Sequence, residues 1–246
     1  MFPHVHQFRN QNFVICGSQF TLMSEILEKT ENFVVDLLAN KLDASYLYHN
    51  LSHTQRVVKS TKELLNFYNL GEEENEMLLL AAWLHDTGYT KGSENHEETS
   101  CGISREFLAS QKYDKKKIES ICSLIMATKR FYEPQNLLEE IIRDADCSHF
   151  GKKSYMETSE LLREELEILG LATYTQKEWR DANLKMFQTE QRFYTDYALQ
   201  HWQEEKNKNI KRLIKGKKAE ENLAKKEKLK AKYKSESPDR GIQTLF

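Results

Sequence analysis

Proline is nearly missing from this chain, with three residues in 246, and glycine is sparse at nine. Folds with many β-turns draw on both residues to reverse the backbone, so their scarcity points to long helices joined by few turns. Cysteine is scarce as well. Cys16, Cys101, Cys122 and Cys147 include no pair at C-x-x-C spacing, which argues against a zinc ribbon or a thioredoxin-like motif. No apolar run is long enough to cross a bilayer, and no stretch reads as a secretory signal. Free thiols in a reducing cytoplasm are the simplest expectation.

A strong net charge is also lacking, but the total of −2 hides an asymmetry. Residues 206–234 hold thirteen Lys/Arg against three Glu, a local +10, so the remaining residues must sum to −12. An acidic body carries a basic tail.

What is present is helical periodicity. Ile26, Leu27, Phe33, Val34, Leu37 and Leu38 are spaced for an amphipathic helix. Residues 51–68 repeat the pattern with Val57, Val58, Leu64, Leu65 and Tyr68. Residues 72–85 contain MLLLAAWLH, the most apolar stretch, expected at the buried centre of the domain. GYTKGSEN breaks the pattern as a loop. Further helices are expected over 97–110, 115–128, 136–146, 155–169 and 176–197, with Gly170 as a C-cap. Residues 198–234 read as a long polar helix or one that frays into disorder. The predicted fold is all-α, a helical bundle with a long C-terminal helical extension. It divides into a poorly ordered leader (1–22, ahead of a start at Met23), a main helical domain (23–153), a helical extension packed on it (154–200), and a basic tail and linker (201–246).

Three short stretches carry chemistry: Tyr48-His49-Asn50-Leu51-Ser52-His53, His85-Asp86 and Asp144-Ala145-Asp146. Imidazole and carboxylate together suit a divalent ion: Mn, Mg, Fe, Co, Ni or Zn. Neighbours such as His85 and Asp86 do not share a helix face. At a helix end, which Thr87-Gly88 supplies, both can turn toward one ion. His49 and His53 share a face if both are helical; alternatively His49 precedes the helix and leans over its first turn.

This ordered combination resembles the HD phosphohydrolase superfamily, with its H…HD…D pattern on a helical bundle, over about residues 45–151. The resemblance implies His53, His85, Asp86 and Asp146 as metal ligands, with Asp144 behind them orienting a ligand. The string YHNLSH is also similar to the Y-H-N-x-x-H stretch of class I cyclic-nucleotide phosphodiesterases. There the first His, here His49, donates a proton to the leaving oxygen. The chain departs from that group at Arg56, where an Asp is usual, and at TGYTKG, which lacks its Asp-His. It also lacks the acidic pair of guanosine tetraphosphate hydrolases and the G-Y-P signature for cyclic di-GMP. The resemblance implies attack on phosphorus by metal-activated water, oriented by Asp86, with His49 as general acid.

His96 follows the HD pair and is a candidate substrate contact or ligand of a second ion; it reads equally as a polar helix N-terminal residue. Lys129 and Arg130 are candidate phosphate clamps, or charges complementing a helix C-terminus. His149 and His201 match no pattern and read as structural or solvated.

The expected substrate is a small nucleotide phosphoester, possible cyclic nucleotides included. A nucleoside mono- or triphosphate phosphohydrolase and a non-catalytic nucleotide sensor are the alternatives. The basic tail is by default a solvated helix; contact with an anionic membrane surface is its functional reading, at about 1 kcal/mol per Lys/Arg. Nucleic acid is not expected there, because Tyr233 is its one aromatic residue. The ending PDRGIQTLF resembles the junction in Pycsar-effector-like proteins that join an HD domain to a membrane region. That resemblance implies the cytoplasmic, soluble part of a membrane-anchored protein. Oligomeric state is not legible.

Overall fold

The computed structural model describes residues 24–236, with side chains to residue 229. The expected leader and the PDRGIQTLF junction lie outside the described residues. Among those described there are ten α-helices and no strand, so the all-α expectation holds. The helices are α1 (Glu25–Lys41), α2 (Leu51–Tyr68), α3 (Glu72–Leu84), α4 (His96–Ser110), α5 (Lys115–Met126), α6 (Leu137–Asp146), α7 (Tyr155–Ile168), α8 (Gln176–Thr189), α9 (Asp196–His201) and α10 (Gln203–Glu236). Short 3-10 turns, Thr87–Thr90 and Cys147–Gly151, follow α3 and α6.

After an acidic first turn, α3 is apolar on every side from Met77 to Leu84, so this part has no face to give to water. Leu78, Leu80, Ala81, Ala82 and Leu84 are fully buried, and α1, α2, α4, α5 and α6 all pack against α3. Burying each large aliphatic side chain here contributes about 1.5–3 kcal/mol. Around this axis the helix starts are fixed by side-chain caps. Asn50, Asp114, Asn136, Thr175 and Thr195 accept backbone N–H groups at the starts of α2, α5, α6, α8 and α9. Gly170, at φ +67, closes α7, with Leu171 N–H donating back to the Leu166 carbonyl at 2.9 Å.

One expected helix is interrupted. Residues 176–197 read as continuous, but α8 ends at Thr189 and α9 starts only at Asp196. The buried Asp144 carboxylate explains the break. It accepts the Tyr194 N–H at 3.0 Å, the Thr195 N–H at 2.8 Å and the Thr195 hydroxyl at 2.7 Å, holding the chain out of helix ahead of α9.

The basic stretch is a helix, and its start is not solvated. Trp202, Lys206, Asn209 and Leu213 are buried. Asn209 Nδ2 donates to the Phe150 and Lys152 carbonyls at 3.0 and 2.9 Å, tying α10 to the turn after α6. Tyr155, Leu184, Phe187 and Trp202 join the same apolar cluster as α1–α6. From Lys218 to Leu229 every side chain is exposed. No helix among the described residues is long and apolar enough to cross a membrane.

Candidate metal centre

The start of α2 and the ends of α3 and α6 bring the three motif stretches to one place. Asn50 is the reason His53 points inward. Its Oδ1 accepts the Ser52 and His53 N–H groups at 2.9 and 3.3 Å, so His53 falls in the first turn of α2. His49 precedes the cap and is not helical, which decides between the two placements open from sequence.

His85 closes α3, and the chain turns at Asp86 into the Thr87–Thr90 turn. Gly88 permits that turn. A Cβ there would lie 2.0 Å from the His96 carbonyl oxygen. Instead the Gly88 N–H donates to Ser100 Oγ at 2.8 Å, clasping the turn to α4.

His53, His85 and Asp146 each offer a ligand atom within 4.8 Å of the others. The Nε2 atoms of His53 and His85 are 3.4 Å apart. Two nitrogens about 2.1 Å from one tetrahedral ion would be separated by about 3.4 Å. His85 Nδ1 lies 3.0 Å from the Ala82 carbonyl, which requires the proton on Nδ1 and leaves Nε2 as the lone-pair donor. Asp86 Oδ2 is 3.1 Å from His85 Nε2 and 3.2 Å from His53 Nε2. It is nevertheless buried without an aligned hydrogen-bond partner. A buried carboxylate oxygen left in that state is costly. His53, His85 and Asp146 are thus placed to hold a divalent cation, and Asp86 Oδ2 lies against both imidazoles beside them.

The electrostatics agree. Burial works against a charged His53, but Asp146 and Asp86 outweigh it and lift the imidazole to about 9. Burial likewise pushes Asp86 up, yet His85 and His53 hold its carboxyl well below the usual range. Two carboxylates in this pocket demand positive charge.

The wall of the pocket contains residues that sequence did not single out. Glu165, on α7, is buried and accepts the Tyr48 N–H at 2.7 Å and the His49 N–H at 3.0 Å. Its Oε1 is 2.5 Å from His49 Nδ1. Burial raises the Glu165 carboxyl, but these bonds outweigh burial and hold it below its ordinary value. Tyr89 stacks on His49 at 4.3 Å and on His96 at 4.1 Å between ring centroids. Tyr48 OH lies 3.2 Å from His149 Nδ1. Burial, then the neighbouring His53, lowers His149 to about 4, so it is a neutral wall residue rather than a solvated one. Arg56, one turn after His53, bonds Ser52 Oγ at 3.0 Å, while its Nε is buried without a partner. None of the ion pairs among the described residues includes it.

The other candidates divide. His96 opens α4 with Nε2 3.8 Å from Asp86 Oδ1, at the rim of the cluster. Lys129 is paired with Glu98, and Arg130 donates to Glu190 at 2.6 Å, both at the surface. Asp144 orients no candidate ligand; its oxygens are taken by Tyr194 and Thr195.

Residues 50–151 match the family described as HD domain. This part of the chain resembles an HD domain. The HD domain is a fold of the metal-dependent phosphohydrolase superfamily. His53, His85, Asp86 and Asp146 fall inside the matched segment, whereas His49 and Glu165 fall outside it. A crystal structure of a Lactobacillus plantarum protein, a structural-genomics target, has a similar fold. The two are 17% identical with a TM-score of 0.58, over 82% of this chain and 100% of that one. No curated protein matches the chain.

Proposed function

We propose that the chain hydrolyses a small nucleotide phosphoester, with a cyclic nucleotide as the first substrate to test, at His53, His85, Asp86 and Asp146. The observation that carries the reading beyond the HD domain is the His49–Glu165 pair beside the four ligands. A divalent ion held by those residues would supply an acidified water, with a pKa toward ~7, and a Lewis acid for a phosphoryl oxygen.

The chain's own residues supply the rest. Glu165 accepts from His49 Nδ1, fixing the tautomer and the ring plane, with Tyr89 stacked against the ring. Nε2 of His49 is then the atom that hands a proton to the leaving oxygen, a contribution of about 10²–10⁴-fold. Asp86 orients the attacking water. Arg56 has an unpartnered buried Nε and takes the substrate's negative charge as a guanidinium clamp.

Turnover over a panel of cyclic nucleotides, nucleoside monophosphates and triphosphates, with Mn, Mg, Co or Zn, tests this reading. Phosphoester cleavage is expected from the native chain and not from Asp86→Ala. Nucleotide binding without turnover under every metal would replace the enzyme with a sensor.

A further inference from the structure

Cysteine spacing suggests no pair in the sequence, yet the fold makes one. Cys101 on α4 and Cys122 on α5 face each other where these two helices pack. Cys101 Sγ lies 3.4 Å from the Cys122 carbonyl oxygen, and Cys122 Sγ lies 3.7 Å from the Cys101 carbonyl oxygen. Burial alone is ordinary for cysteine; the asymmetry between the two is not. The neighbouring Cys101 thiol, with the Arg105 charge, holds the Cys122 thiol below its usual range against burial and the opposing Glu119 charge. The neighbouring Cys122 thiol, with burial, pushes Cys101 up. A cavity of about 280 Å³ between Arg105, Glu119, Tyr132 and Glu139 is lined by Cys122 but not by Cys101. Both cysteines are buried, but Cys122 borders the cavity, beside the Arg105–Glu119 ion pair, and Cys101 packs against it from α4.

We propose that Cys101 and Cys122 form an oxidisable dithiol, closed to a disulfide by a small peroxide that enters the cavity beside Cys122. The Cys122 thiolate attacks one peroxide oxygen and the O–O bond breaks. The departing hydroxide takes a proton to become water, and Cys122 is left as a sulfenic acid. Cys101 sulfur then attacks Cys122 sulfur. The S–S bond forms, the S–O bond breaks, and the oxygen leaves as a second water carrying the Cys101 proton. Each sulfur gives up one electron and the peroxide gains two. The new bond staples α4 to α5 one residue beyond Ser100, whose hydroxyl clasps the Gly88 turn of the metal centre.

The test treats the full chain with hydrogen peroxide and reads intact mass and non-reducing peptide maps. A parallel sample carries Cys16→Ser and Cys147→Ser. Both samples are expected to lose the mass of two hydrogens, to yield a linked peptide pair containing Cys101 and Cys122, and to regain the mass with dithiothreitol. With Cys101→Ser, a sulfenic acid should be trapped by dimedone on Cys122. With Cys122→Ser, Cys101 should stay a thiol. The proposal is overturned if Cys101 reacts first. It is equally overturned if the linked peptides join separate chains, or if both thiols survive in the folded native chain under peroxide that oxidises the urea-unfolded chain.

Discussion

Glu165 Oε1 meets His49 Nδ1 at 2.5 Å across a sequence separation of 116 residues. Neither residue lies in the segment matched by the HD family. The α7 helix, outside the HD motifs, therefore positions the histidine assigned to proton donation. His49→Ala should lower turnover of a nucleotide substrate by about 10²–10⁴-fold and leave metal content unchanged. Much of the loss should disappear with a p-nitrophenyl phosphodiester, whose leaving group needs no proton. Glu165→Gln should fall between native and His49→Ala, by about 10–100-fold. Equal loss on both substrates would remove His49 from the proton-donor role.

Arg56 should govern affinity rather than the chemical step. A charge-assisted hydrogen bond contributes about 1.5–3 kcal/mol, so Arg56→Gln should raise KM roughly tenfold or more with a smaller change in kcat. Steady-state kinetics on the best substrate of the panel decide this. An unchanged KM would show that Arg56 serves only Ser52.

Gly88→Ala should destabilise the HD turn. Its Cβ would meet the His96 backbone oxygen at 2.0 Å and Ser100 Oγ at 2.9 Å. Backbone cannot yield as a flexible side chain would, and a cost of about 1–3 kcal/mol or more is expected. Calorimetry should record a fall of roughly 2–4 °C per kcal/mol.

Much of this centre was legible because its ligands carry their own local signals. MLLLAAWLH is apolar all round, so a buried helix ending at His85-Asp86 follows from sequence. Asn50 made the start of α2, but YHNLSH is compatible with His49 on either side of the cap. Only the backbone decides it. Glu165 was not legible: it stands among Glu164 and Glu167 on one helix, and nothing local separates the buried carboxylate from the exposed ones. The ion pairs of Lys129 and Arg130 were not legible for the same reason. Their partners Glu98 and Glu190 are 31 and 60 residues away. The gap between α8 and α9 contains no Pro or Gly, and its cause is the distant carboxylate of Asp144.

Lys206 should leave a signature at alkaline pH. Burial lowers its ammonium from 10.5 to about 8, despite opposing attraction from Cys147 and Asp144. Its Nζ donates to the Gln191 carbonyl at 2.9 Å and lies 5.2 Å from the Phe193 ring centroid. The folded value lies below the unfolded one, so between about 8 and 10.5 the unfolded chain binds the extra proton. Stability contributed by this residue therefore rises with pH across that window, by on the order of 3 kcal/mol. Denaturant melts of native chain and Lys206→Met should diverge below pH 8 and converge toward pH 10. Parallel curves would mean that the buried ammonium is fully compensated by its carbonyl and ring contacts.

The central claim is that His53, His85, Asp86 and Asp146 hold a divalent cation. Elemental analysis of the purified chain, after dialysis against each metal in turn and removal of the excess, tests it most directly. The native chain should retain metal in proportion to protein, His85→Ala and Asp146→Ala should lose it, and His49→Ala should keep it. Equal metal in native and His85→Ala protein, or none in the native chain with any divalent ion, would contradict the account.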